Sequence, residues 1–334
     1  MEITAQNMLI KIDDSDINTD GKFIIPFGVE KIGATAFAEN NKIKTVVIPS
    51  SVTDINANAF FFCEQLQSVC VPNSVQHIGP YAFCGCKSLA QITLGTGITT
   101  IREAVFNNCT ALQNVKFLGG VEKIESHAFN GCKELKNIAL PDGLKSIGYG
   151  AFQRCGLTEI HIPDTVEMLG TSTFSQCNNL SKVILPNNIH TLEGFVFSEC
   201  SALKHITLPE NLRFINMRAF QKCSNLRSVL MPDSVNNISD YAFLNCHNLK
   251  YISFPVGSLA IGKQAFKGCV SLEEVKISSG TVCETDAFVG CSKNLKITKA
   301  NDIKSQSGDL FAEAVNCKFA DMSSSISKDT EPER

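Results

Sequence analysis

A phenylalanine returns every 22 or 23 residues through most of this 334-residue chain, and that period restricts its fold more than any other feature. The series runs Phe37, Phe60, Phe83, Phe106, Phe129, Phe152, Phe174, Phe197, Phe220, Phe243, Phe266 and Phe288. A fixed period of this length belongs to stacked-repeat architectures, because so short a unit cannot bury its own apolar face and must share a core with its neighbours. The residues around each Phe repeat as well. Ala precedes it in nine of the twelve units, and Cys follows three residues later in eleven, from Cys63 to Cys291, with Asn40 in the first. A Leu comes next, such as Leu66 or Leu203, and then two apolar residues spaced by one, such as Val69 and Val71 or Ile206 and Leu208. Pro closes most units here, as at Pro72, Pro186 and Pro209, and two apolar residues three apart follow it, such as Val75 and Ile78.

Each part of the unit has a local physical reading. Leu-x-x-Val-x-Ile ends in period-two alternation, which predicts a short strand with one buried face. Pro ends the strand because its ring removes a ladder donor and pre-sets φ for a turn. Ala-Phe-x-x-Cys is too short for a lasting helix and predicts a single helical or 3₁₀ turn. Equivalent strands in successive coils would lie ~4.8 Å apart in a parallel sheet. The expected fold class is an α/β repeat solenoid with a parallel β-sheet and about twelve coils of 22–23 residues. Its expected organisation is an N-terminal cap over residues 1–22, the solenoid over 23–297, and a C-terminal cap with a disordered polar tail over 298–334. Residues 8–12 are the expected capping strand at one end and residues 309–315 an amphipathic cap at the other. Gly95-Thr96-Gly97 and Leu118-Gly119-Gly120 replace Pro turns and predict bent turns.

Composition narrows the function classes. A formal net charge of −3 gives no basic face for nucleic acid, and no run approaches the roughly 18 apolar residues of a membrane helix. Neither nucleic-acid binding nor membrane insertion is expected. The opening Met-Glu-Ile-Thr-Ala-Gln-Asn has neither the basic nor the apolar region of a secretory signal, which favours a reducing compartment. The fifteen cysteines then read as free thiols, eleven of them in one buried column. Phosphate-loop, serine-elbow and zincin motifs are absent from the sequence, so no enzyme and no cofactor are expected.

The unit (I/V)P-x-x-V-x-x-I-G-x-x-A-F-x-x-C-x-x-L-x-x-(V/I)-x-I-P, nearly intact over residues 71–95, resembles the BspA-like class of leucine-rich repeats. The resemblance spans roughly residues 23–297. It implies a right-handed leucine-rich-repeat solenoid that binds proteins or adheres to them and does not catalyse. A monomer acting as an interaction module is expected, in the cytoplasm or delivered into a host cell without a cleavable signal. The alternative is a surface adhesin for host matrix or cell-surface protein.

Two metal candidates carry little weight. Asp16-Ile17-Asn18-Thr19-Asp20-Gly21 fits the first half of a calcium loop, but Phe27 stands where the bidentate Glu belongs. Cys84-Gly85-Cys86 has too short a spacer and no second ligand pair. No metal site is expected. The positive candidate is the outward face of the strands. Its middle places Ile184 and Leu230 among Glu159, His161, Lys182, His205, Thr207 and Tyr251, an aliphatic centre with a polar and aromatic rim, as in a protein interface.

Overall fold

A computed structural model describes residues 1–300. The chain is a parallel β-solenoid of about thirteen coils of ~23 residues. The expected cap at residues 309–315 and the polar tail lie outside the described residues.

One ladder is built from the predicted strands. Thr45–Val47, Ser68–Cys70 and Gln91–Leu94 pair in parallel with each residue facing its equivalent one period on, Val46 with Val69 and Val69 with Ile92. The pairing keeps Val46, Val69 and Ile92 in the core and turns Val47 and Cys70 outward. A second parallel ladder, absent from the sequence reading, runs through the apolar pair after each Pro. Its two-residue strands include Lys31–Ile32, Asp54–Ile55 and His77–Ile78, each burying its Ile. Met8–Lys11 joins this ladder beside Lys31–Ile32 and forms an antiparallel pair with Glu2–Ile3, so Leu9 closes the N-terminal end of the core.

Both ladders are interrupted, but never at one seam. The first breaks between Asn114–Phe117 and Glu159–His161, where the intervening coil forms no strand, again between Lys182–Ile184 and His205–Thr207, and again between Tyr251–Ser253 and Glu274–Ser278. The second breaks between His77–Ile78 and Thr100–Ile101 and between Met168–Leu169 and Thr191–Leu192. At every break the other ladder is continuous. The Gly95 and Gly119 turns follow the two four-residue strands of the first ladder, Gln91–Leu94 and Asn114–Phe117.

The helical turn expected at Ala-Phe-x-x-Cys is replaced by consecutive tight turns; among the described residues the only helix is the 3₁₀ turn Asp14–Asp16. The residues two before and two after the Phe adopt positive φ, as at His127 (57°) and Gly131 (77°) around Phe129. This alternation sends the backbone N–H groups in two directions. His127, Phe129 and Gly131 donate to Tyr149, Ala151 and Gln153 of the next coil at 2.8 Å each, while Ala128, Asn130 and Cys132 donate back within their own turn. A helix would keep all six within the coil and leave the stack without rungs.

The Phe side chains form one stacked column. Consecutive rings from Phe37 to Phe288 lie 4.6–5.7 Å apart and within 20° of parallel. Ala fits beside them because the coils approach too closely for a larger side chain, and Ala128 and Ala151 are fully buried. One coil is a residue short between Cys155 and Leu157, which accounts for the 22-residue interval from Phe152 to Phe174. The shortened path brings Gly156 against the coil before it, where a Cβ would collide with the Lys133 carbonyl oxygen.

Two predictions follow from this packing. Phe129→Ala removes a ring with a stacked neighbour on each side and should cost ~3–5 kcal/mol in denaturant titration. Phe288→Ala, at a half-buried ring with one stacked neighbour among the described residues, should cost distinctly less. Gly156→Ala should lower the melting temperature although it fills no cavity; an unchanged melt would show that the Lys133 turn gives way freely.

Candidate functional site

The cysteine column serves structure. From Cys63 to Cys291 each thiol donates to the carbonyl of the Phe one coil earlier, at 2.9–3.3 Å. The Phe106 carbonyl thus accepts from both Cys109 N–H and Cys132 Sγ, at 3.2 Å each. Burial pushes Cys63 up to about 12 and Cys132, Cys200 and Cys246 well above the ordinary value, whereas at the C-terminal end of the column a hydrogen bond with Cys269 pulls Cys291 down. A thiol held protonated is a poor nucleophile and metal ligand. Cys84 is also buried and pushed up to about 11, so the Cys84-Gly85-Cys86 pair presents no thiolates.

In the Asp16–Gly21 turn, Asn18 Oδ1 and Asp16 Oδ2 accept from backbone donors, and Asp16 Oδ2 also lies 2.7 Å from the Met1 ammonium. Asn18 Oδ1 accepts from the N–H of Asp20 (3.1 Å) and Lys22 (2.6 Å), and Asp16 Oδ2 accepts from Asp13 N–H at 2.8 Å. Among the described residues no three His, Cys, Asp or Glu side chains gather as metal ligands would, and no helix is long and apolar enough to cross a membrane.

The outward strand positions carry the candidate chemistry. Glu159, His161, Lys182, Ile184, Thr207, Leu230 and Tyr251 are exposed and His205 is half-buried. Register aligns them in two columns, Glu159 beside Lys182 and His161 beside Ile184, then His205 beside Ser228 and Thr207 beside Leu230. Lys182 Nζ lies 4.0 Å from the Glu159 carboxylate, and His205 Nδ1 lies 3.1 Å from Ser228 Oγ. Lys250 Nζ sits 5.3 Å from the Tyr251 ring centre.

Between Lys182–Ile184 and His205–Thr207 the first ladder is open. The rung that Arg227 makes with Lys204, and Lys250 with Arg227, at 2.9 Å each, is not repeated from Lys204 to Ser181. The back of this seam stays closed. Leu192 pairs with Ile215 in the second ladder, and Phe195, Phe197 and Glu199 donate to Met217, Ala219 and Gln221 at 2.7–3.1 Å. The result is a groove of about 890 Å³ on the strand face. Val183, Leu185 and Leu208 form its apolar floor. Five of the eight sequence-selected residues line it: His161, Lys182, Ile184, His205 and Thr207. Glu159, Leu230 and Tyr251 lie outside, on the flanking strands.

The groove also holds residues that sequence reasoning missed, chiefly Asp164, Asn187, Lys204 and Glu210. Three of these follow the strand-closing Pro residues, Pro163, Pro186 and Pro209, and a third column drawn one place after each Pro finds them. Asp164 is held by Asn187, whose N–H and Nδ2 donate to Asp164 Oδ1 at 2.8 and 3.2 Å.

With this geometry in place, comparison with known proteins assigns the class. The chain matches the BspA type leucine rich repeat region, described in six copies, over residues 19–136, 99–227 and 214–330, and it belongs to that family. A leucine-rich repeat protein of Bacteroides ovatus is similar at 26% identity, with a TM-score of 0.65 and 84% of each chain covered. The pneumococcal vaccine antigen PcpA shares the fold at 19% identity and a TM-score of 0.50, over 84% of this chain and 69% of its own. No curated protein matches the sequence. Leucine-rich-repeat folds commonly mediate protein–protein interaction, and the BspA family is generally a non-enzymatic repeat scaffold.

Alkylation of the native protein with peptide mapping should mark Cys70 first, because it alone of the described cysteines is exposed. The buried column, Cys63 to Cys269, should stay unmodified until the protein unfolds. Native-state labelling of Cys132 at the rate of Cys70 would contradict the hydrogen-bonded column.

Proposed function

We propose that this protein is a non-enzymatic interaction module that binds a protein partner through the strand face, centred on the groove between the Ile184 and Thr207 strands. The observation that carries the reading is the convergence of His161, Lys182, Ile184, His205 and Thr207 on one apolar-floored opening. Exposed Leu230 and Tyr251 extend its apolar surface along the face. An apolar centre with a polar rim, depleted of competing charge at its middle, is the usual anatomy of a protein interface.

A reducing compartment fits this reading. Cys70 is exposed on the same face between Val47 and Thr93 with no cysteine opposite it, and a lone exposed thiol is ill suited to an oxidising environment.

Affinity capture under reducing conditions tests the proposal. The native protein is compared with a variant carrying Ile184→Glu, Leu230→Glu and Tyr251→Ala, after circular dichroism and melting curves confirm equal folding. A protein retained by the native chain and lost by the variant is the expected result. A partner retained equally by both would place binding on the turns or the second ladder and overturn the strand-face reading.

A further inference from the structure

The groove is not merely apolar; its two ends carry opposite charge. Lys182 and Lys204 stand where the strands begin, and Asp164 and Glu210 stand beyond the strands' ends, on the far side of the Val183–Leu185–Leu208 floor. Lys204 and Glu210 are exposed and form no ion pair within the described chain. Lys182 lies 4.0 Å from the Glu159 carboxylate, and Asp164 Oδ1 accepts from Asn187. The opening lies along the strand direction, between two strands whose facing edges are not paired with each other. It therefore has the form of an extended slot with a basic end, an apolar middle and an acidic end.

We infer that the occupant of this slot is an extended peptide segment of a partner protein, acidic at one end, aliphatic in its middle and basic at the other. This rests on the strand-face reading above and specifies its ligand. The span from Lys204 to Glu210 corresponds to about six extended residues at ~3.3 Å each, so a single linear segment reaches both ends. Alternate side chains of such a segment enter the floor, and its charged termini meet Lys204 and Glu210. Opposed charges at the two ends select the segment and reject one with like charges, since a like-charge contact at either end is repulsive.

The test uses the full chain and fluorescein-labelled synthetic peptides with blocked termini and a common Leu-Ser-Val-Ser-Leu core, which sets the flanking charges six positions apart. One peptide carries Asp before and Lys after the core, one carries Asp at both ends, and one carries Lys at both ends. Anisotropy titration at low salt should give the mixed-charge peptide about tenfold tighter binding than either like-charge peptide, with the advantage shrinking as salt rises. Lys204→Glu should remove that advantage and favour the two-Lys peptide, while Glu210→Lys should favour the two-Asp peptide. Neither exposed side chain supports the fold, and circular dichroism checks both variants. Equal affinity of the three peptides, or no change of preference in Lys204→Glu, overturns the inference. Sedimentation of the protein alone covers a second occupant: a dimer abolished by the same substitutions puts another copy of this chain in the slot and also overturns it. If no peptide binds but the captured partner is still lost on Ile184→Glu, the segment inference fails and the strand-face reading stands. Capture indifferent to Ile184→Glu sinks the strand-face reading itself.

Discussion

The fold depends on satisfying the main chain around a phenylalanine that water cannot reach. Each Phe ring is buried between its neighbours, so the carbonyl of the same residue is buried too and must find donors inside the protein. Two donors arrive from different coils, the N–H of the Cys three residues later and the thiol of the Cys one coil further on. Serine could donate as well, but a buried hydroxyl is costlier to desolvate than a thiol, which packs as a small hydrophobe. The column of free cysteines therefore follows from the column of phenylalanines. Positive φ on either side of the Phe follows from the same need, because it lets every second N–H point to the next coil. Aromatic and β-branched residues rarely adopt that conformation, yet Phe62, Tyr81, Thr35 and Tyr241 do so here, held by a rung to the following coil.

With three tracks joining successive coils, no one track is indispensable at a given seam. The two ladders break at different places, and the rungs of the Phe turns run across both sets of breaks. An opening on the strand face can thus exist without parting the coils. At the Lys182–Ile184 and His205–Thr207 seam the second ladder and the turn rungs hold the back while the front opens into the groove. A sheet paired at every seam would present only a flat row of outward side chains, with little concavity to desolvate a ligand.

What the sequence could say about this protein divides along the same physical lines. The period, the buried Phe and Cys columns and the outward strand residues are legible because each depends on one side chain repeated in register, and all are found where the pattern puts them. The Phe turn is less legible. Spacings of three and four residues describe a helical turn and a pair of linked tight turns equally well, and only the hydrogen-bond demand of the neighbouring coil decides between them. The second ladder escapes for another reason: two residues per strand, such as Asp54–Ile55, are too few to show period-two alternation. Five residues of the candidate site were visible as outward columns, but their convergence was not. It depends on a missing strand pairing, and nothing in the column of side chains marks the seam at which pairing stops.

That separation has a consequence for how such a solenoid can acquire specificity. Residues that hold the stack point inward or sit in the Phe turn, whereas Lys182, Lys204, Asp164 and Glu210 point outward and pair with little or nothing in the core. Surface substitutions away from caps, networks and buried groups usually change stability by less than ~0.5 kcal/mol, so the rim can vary while the scaffold remains. The floor is constrained more tightly, because Val183 and Leu208 belong both to the groove and to the buried core. Recognition on this face accordingly has two layers, an apolar floor set by the repeat and a charged rim free to discriminate among segments that the floor alone would accept.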